Sequence, residues 1–205
     1  MSVKIVNVKI SMPSPWGGVG ESVIVPPVIP PDPPKNYVYR LDGLTKYYQL
    51  SEEIPIPDGG SVELDLMYDS ENQSTDEYVF TGENSSDTAL FFTERKRLRT
   101  GASGYISEIL VDGEVTDVLP YDNAFHAIKC IASGGLAKVS ILGARFNYTR
   151  TSSGVIKMFR VRDSGGSVIN EIPLTNKAQG ATQLPTVGNV SATIINYTES
   201  GWVEV

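Results

Sequence analysis

The chain has one cysteine, Cys130, and one histidine, His126, among 205 residues. A lone thiol excludes an internal disulfide and a zinc site built on cysteines, so the fold must stand on packing, and it points to maturation in a reducing cytosol. Cations are scarce too: 17 Lys and Arg face 24 Asp and Glu, a formal charge of −7 with a pI near 4.8. Nucleic acid is therefore not expected as a partner, because phosphate recognition needs clustered Lys and Arg. No apolar run approaches the roughly eighteen residues of a membrane helix, and the first thirty residues lack a basic segment followed by an apolar core. The expectation is a chain neither exported by a signal peptide nor inserted in a membrane. Amphipathic helical periodicity is missing as well.

What is present reads as β-structure. Hydrophobic residues at 40% and charged residues at 20% describe a globular chain, and nineteen Gly with thirteen Pro supply turns. Short β-branched or aromatic stretches follow one another from residue 37, among them YVYRLD, YYQLS, SVELDLMYD, ALFFTERKRLRT, FHAIKCIAS, AKVSILGARF and GVIKMFRVRD. Alternation is cleanest in SVELDLMYD, where Val62, Leu64, Leu66 and Tyr68 face one way and Glu63, Asp65 and Met67 the other. About twelve such strands, each with one apolar face, predict an all-β, two-sheet jelly-roll sandwich. A seven-stranded immunoglobulin-like fold fits less well, since both tryptophans, Trp16 and Trp202, lie in the tails.

Eight of the thirteen prolines precede residue 35. From Pro26 to Pro34 they impose polyproline II, a spacer reaching roughly 25 to 30 Å. The domain reading is a 1–25 arm, a 26–35 polyproline linker and a 36–205 sandwich with a C-terminal tail. In the arm, SVKIVNVKIS is a strand without a neighbour in sequence, and an isolated strand is not stable. Adding it to another chain's sheet edge, or packing Val3, Ile5, Val6, Val8 and Ile10 between copies, would satisfy it, with Trp16 as a further anchoring candidate.

YRLDGLTKYYQLS resembles the opening strands of concanavalin A-like, laminin-G-like domains of tailed-phage virion proteins. FHAIKCIASGGLAKVSILGARF is similar to their central strands, and GVIKMFRVRD with the following VINEIPLTNKAQGATQLPTVGNVSATIINYTESGWVEV is similar to their closing section. The resemblance spans about residues 37–205. It implies a concanavalin A-like jelly roll with an extended arm, at a virion surface, assembled in host cytoplasm. The implied partners are other virion proteins of capsid or tail, the chain itself as a symmetric oligomer such as a trimer, and host-surface polysaccharide. A purely structural decoration is the alternative function.

Glucanases on this fold use Glu-x-Asp-x-Glu or Glu-x-Asp-x-x-Glu, and retaining glycosidases need two carboxylates about 5 Å apart. Here Glu63 and Asp65 fit, but Met67 and Tyr68 occupy the third acid's positions, so hydrolysis is not expected and the carboxylates read as a solvated strand face. His126 and Cys130 share a strand face but stand about 13 Å apart, too far for a nucleophile and its base. A packed histidine bonded to backbone, beside a buried thiol, is the expectation. Arg95, Arg97 and Arg99 project from one face of a single strand and are glycan- or phosphate-binding candidates. Sugars lay apolar faces on exposed rings. Of Tyr47, Tyr48, Tyr68, Tyr78, Tyr121, Phe146 and Tyr148, the turn contexts favour Tyr121 and Tyr148. The acidic loops DSENQSTDE and GENSSD lack the spacing of a calcium site, and no catalytic residue, metal or cofactor is expected.

Overall fold

The computed structural model describes residues 35–68, 77–82, 90–93, 97–101, 104–148 and 151–205. The anchoring candidates Val3, Ile5, Val6, Val8, Ile10 and Trp16, the linker to Pro34, Arg95 and most of both acidic loops lie outside the described residues.

The described residues form fifteen strands: β1 (Tyr37–Asp42), β2 (Tyr47–Pro55), β3 (Ser61–Met67), β4 (Glu77–Thr81), β5 (Leu90–Thr93), β6 (Arg97–Thr100), β7 (Ile106–Val111), β8 (Glu114–Val115), β9 (His126–Ala132), β10 (Lys138–Leu142), β11 (Ser153–Arg162), β12 (Val168–Pro173), β13 (Thr182–Gln183), β14 (Ala192–Ile195) and β15 (Trp202–Glu204). Helix is confined to two single 3-10 turns, Lys177–Gln179 and Glu199–Gly201. One antiparallel sheet has eight strands in the order β15-β1-β11-β3-β9-β7-β8, with β12 also beside β11; the other has seven, β13-β14-β2-β10-β4-β5-β6. The fold is an all-β, two-sheet sandwich of jelly-roll type.

Alternation in β3 sets the core. Leu64 lies in register between Phe159 of β11 and Ile128 of β9, and Val62 between Val161 and Cys130. All six are essentially inaccessible and share one cluster with Tyr48, Leu50, Phe80, Leu98 and Val139 from the second sheet. Each large apolar side chain so buried contributes roughly 1.5 to 3 kcal/mol. The opposite face of β3 is wet only in part. Met67 is buried in a second cluster with Val38 and Val155, roofed by Phe125 and Val203, because the 120s loop folds over that end of the sheet.

Two other expectations need correction. ALFFTERKRLRT is not one strand but two, β5 and β6, paired antiparallel from Leu90↔Thr100 to Thr93↔Arg97. The C-terminal stretch is not a tail. Its Trp202 pairs with Tyr39 in β1 and packs edge-on to that ring at 5.4 Å.

The two lateral sides of the sandwich are built differently. On one, the chain from β12 to β15 passes between the sheets four times: from β12 to β13, back to Val187 beside Glu171 of β12, across to β14, and back to β15. On the other, β6 and the pair β7–β8, of which β8 is only two residues long, are outlying, bridged by residues 116–118. There the Leu98 N–H donates to the Asp117 carbonyl at 2.7 Å and Arg97 pairs with Val118.

Candidate functional site at one end of the sandwich

The strand registers bring the ends of β1, β3, β10 and β14 and the starts of β2, β4, β9 and β11 to the same end of the sandwich. Asp42 builds the first turn there. Its carboxylate accepts the N–H groups of Leu44, Thr45 and Lys46 at 2.8 to 2.9 Å and the Thr45 hydroxyl at 2.9 Å. Burial opposes its charge, but these donors outweigh it and hold the carboxyl down to about 2. The turn delivers the chain from one sheet to the other and starts β2 at Tyr47.

Facing Tyr47 is the turn after β10. Gly143 adopts φ +79°, a left-handed conformation that glycine enters without strain, and so lets β10 leave the sheet sharply. The Tyr148 N–H donates to the Arg145 carbonyl at 2.8 Å, and Tyr148 itself sits at φ +59°. That conformation is uncommon for a bulky residue. It leaves the Tyr148 ring half exposed (52%), stacked on Tyr47 with centroids 5.2 Å apart and planes 24° from parallel.

Arg145 lies three residues earlier, half-buried, its guanidinium carbon 5.1 Å from the Phe146 ring centre and 5.8 Å from that of Tyr78. No hydrogen bond or ion pair reaches the guanidinium among the described residues, and its buried Nε is unsatisfied. Aromatic faces hold the cation in place without neutralising it. An aromatic ring and an uncompensated cation thus stand together on one short turn, an arrangement suited to an anionic, ring-shaped ligand.

The other sequence candidates fall elsewhere. Tyr121 packs edge-on against buried Tyr68 at 5.3 Å, and burial, with the Glu77 charge, pushes its phenol upward. It belongs to a different aromatic pair from Tyr148. Arg97 and Arg99 do share the solvent face of β6, with Leu98 turned inward. Arg97 is bound by the Asp117 carboxylate, at 2.9 and 3.2 Å.

Glu63 and Asp65 lie on the outer face of the eight-stranded sheet, as the alternation predicts, but Glu63 is not simply solvated. It accepts from Arg162 at 2.9 Å and Arg160 at 3.2 Å, with Lys129 at 3.5 Å. Arg160 in turn reaches Glu171 at 2.6 Å. Burial works against the Glu63 charge, but Arg162 and Arg160 overcome it and lower its pKa. A carboxyl so held is a poor proton donor. Cys130 is fully buried and its thiol is pushed up to about 12.

His126 departs from the expected backbone bonding. It is nearly buried, and its two ring nitrogens meet two carboxylates, Nδ1 with Asp112 at 2.7 Å and Nε2 with Asp122 at 3.0 Å. Desolvation lowers its pKa, but the two aspartates more than offset that, and the net shift is upward. Asp112 is the left-handed first residue of the Asp-Gly turn between β7 and β8, and it also accepts the Ala127 N–H at 2.9 Å. The clamp ties three chain segments together. With both nitrogens occupied, His126 is not free to bind metal, and among the described residues no group of three His, Cys, Asp or Glu is placed to hold one. No described helix is long and apolar enough to cross a membrane.

Sequence reasoning missed Arg145, Tyr47 as the stacking partner, and Asp112 and Asp122. The signals were the Asp-Gly pair at 112–113 and the aromatic-flanked arginine in GARFNY.

No protein-family model matches the chain, and no curated protein and no solved structure matches it.

Proposed function

We propose that the chain is a non-enzymatic accessory protein of a phage virion, anchored to capsid or tail by residues 1–25 and displaying its sandwich to bind an acidic polysaccharide of the host surface. The concanavalin A-like, laminin-G-like character of the sandwich and its place on the virion are part of this proposal and rest on the sequence resemblance. One observation carries the binding function: Tyr148 is exposed and fixed by stacking on Tyr47, three residues from a guanidinium that no carboxylate pairs among the described residues. A pyranose ring can lie on the tyrosine while its carboxylate or phosphate meets Arg145. The non-enzymatic reading is supported by the lack of a third acid after Glu63 and Asp65, by the ion-paired Glu63 and by the inert thiol. Weak single sites suit a protein present in many copies, because avidity multiplies them.

The test is binding of the full chain, presented multivalently on beads, to an array of bacterial surface polysaccharides. Saturable binding to one anionic class is expected, reduced about tenfold or more by Tyr148→Ala and by Arg145→Gln, since loss of a charge-assisted contact costs at least that much. Tyr121→Phe should leave it unchanged. No binding across the array would overturn the glycan reading and leave decoration of the particle in its place.

A further inference from the structure

The open lateral side carries a feature that neither the loop end nor the core explains. β7 pairs with β9 along its length but with β8 only at Leu110 and Val111, and the last bond on that side is from the Thr116 N–H to the Ile109 carbonyl, 3.2 Å. On that side Ile106, Ser107 and Glu108 have no strand partner among the described residues. Across from them, β6 is covered by residues 117–118 at Arg97 and Leu98 but not at Thr100. The gap is a groove of about 340 Å³ lined by Thr100, Ile106, Glu108, Ile109, Val115 and Asp117. Val115 is 68% exposed and Val118 43%, both unusual for aliphatic residues beside a sheet edge.

An unpaired edge of this kind is a template for any strand, and proteins guard such edges with charge and bulges. Both guards are here: Glu108 is exposed, and the β7–β9 register shifts between Ile106 and Glu108. The charged residues that line it are acidic, Glu108 and Asp117, the latter paired with Arg97, and exposed Glu114 lies on the adjoining β8. Such a groove repels acidic strands and accepts one with aliphatic and basic residues.

We propose that this groove receives, by β-strand addition, the Val3–Ile10 segment of a second copy of the chain. The proposal rests on the reading of residues 1–25 as an association arm and assigns that arm its acceptor. In a strand of this sequence, alternation places Lys4 on the same face as Val6, Val8 and Ile10, matching the face of β7 and β8 that carries Glu108, Leu110 and Val115. The only charges of the Val3–Ile10 segment are Lys4 and Lys9, in a chain that is acidic as a whole, and 34 residues precede the described sandwich, ample for reaching a neighbour. A head-to-tail exchange of this type closes into a ring when the rotation between copies closes, which is the symmetric oligomer the proposal requires.

The experiment is sedimentation velocity of the full chain over a concentration series. The wild type should associate, Glu108→Lys and Lys4→Glu should each weaken association about tenfold or more, and the double charge swap should recover most of it. Association that ignores Glu108→Lys but is lost in Val8→Asp would overturn the groove as acceptor while leaving the arm's role standing. A wild type that stays monomeric at every concentration would overturn both.

Discussion

The two lateral sides of the sandwich do the same topological job with very different investment. The side made by residues 174–205 is sewn. Buried Gln183 holds the turn before it, accepting the Asn176 N–H at 3.0 Å and donating to the Asn176 and Gly180 carbonyls at 3.1 and 2.9 Å. Tyr39 stacks on Tyr197 and meets Trp202 edge-on, while the Tyr197 hydroxyl receives the Trp202 indole N–H and donates to Glu199. Among the described residues, the side at β6 and β7 shows one backbone bond between the sheets, one exposed ion pair and a groove. A sheet edge that is fully paired and covered is finished, and one left partly bare is either a liability or an interface.

The comparison can be broken most directly at Trp202. Trp202→Ala removes a nearly buried indole from the seam and should cost about 3 to 5 kcal/mol, read as a shift in the urea midpoint at constant slope. A cost below about 1 kcal/mol would mean that the sewn side is no firmer than the open one.

Next in size is the pH dependence of the His126 clamp, which anchors the β7–β8 turn on the open side. Because the folded His126 pKa is raised, its contribution is complete below the unfolded value of about 6.5 and is lost as pH climbs through the folded one. Asp112 is lowered by its bond to His126 and by the Ala127 N–H, so its share is present above about 3.9 and lost as pH falls through its depressed value. Thermal unfolding against pH should thus be highest between these limits, and His126→Gln should flatten the alkaline limb. An unchanged limb would remove the clamp from the account.

The smallest effect belongs to the ion pair that bridges the gap. Arg97 and Asp117 are both about half exposed, and Arg97→Ala should cost no more than about 1 kcal/mol, measured in the same denaturant series. A larger loss would show that the open side is held as firmly as the sewn one.

How much of this was legible in the sequence follows the same division. Wherever one strand buries alternate residues, as in β3, period-two alternation located the strand and its core face. Where a strand's fate depends on a neighbour, the local signal failed. β5 and β6 read as one strand because the three residues between them are charged and include neither Gly nor Pro. Of the seam from Leu174 to Val205 only SATIINY read as a strand, the site of β14; the rest read as a tail because its strands are only two or three residues long, too short for any periodicity. Met67 read as wet because the cover comes from Phe125, distant in sequence. The loop-end site was half legible: Tyr148 could be picked from its turn context, but stacking on Tyr47 and the trapped Arg145 exist only once β2, β4 and β10 are assembled.

Cys130 sits at the centre of the eight-stranded sheet, between Val62 of β3 and Ile109 of β7, with its thiol pushed up to about 12. A sulfur so placed is silent to a thiol reagent until β7 peels away or the sandwich opens. It is the chain's only cysteine, so the labelling rate of the unmodified protein is a clock for that opening. A strand that zips onto β7 should slow the clock, and a ligand confined to the turn at Tyr148 should leave it running unchanged.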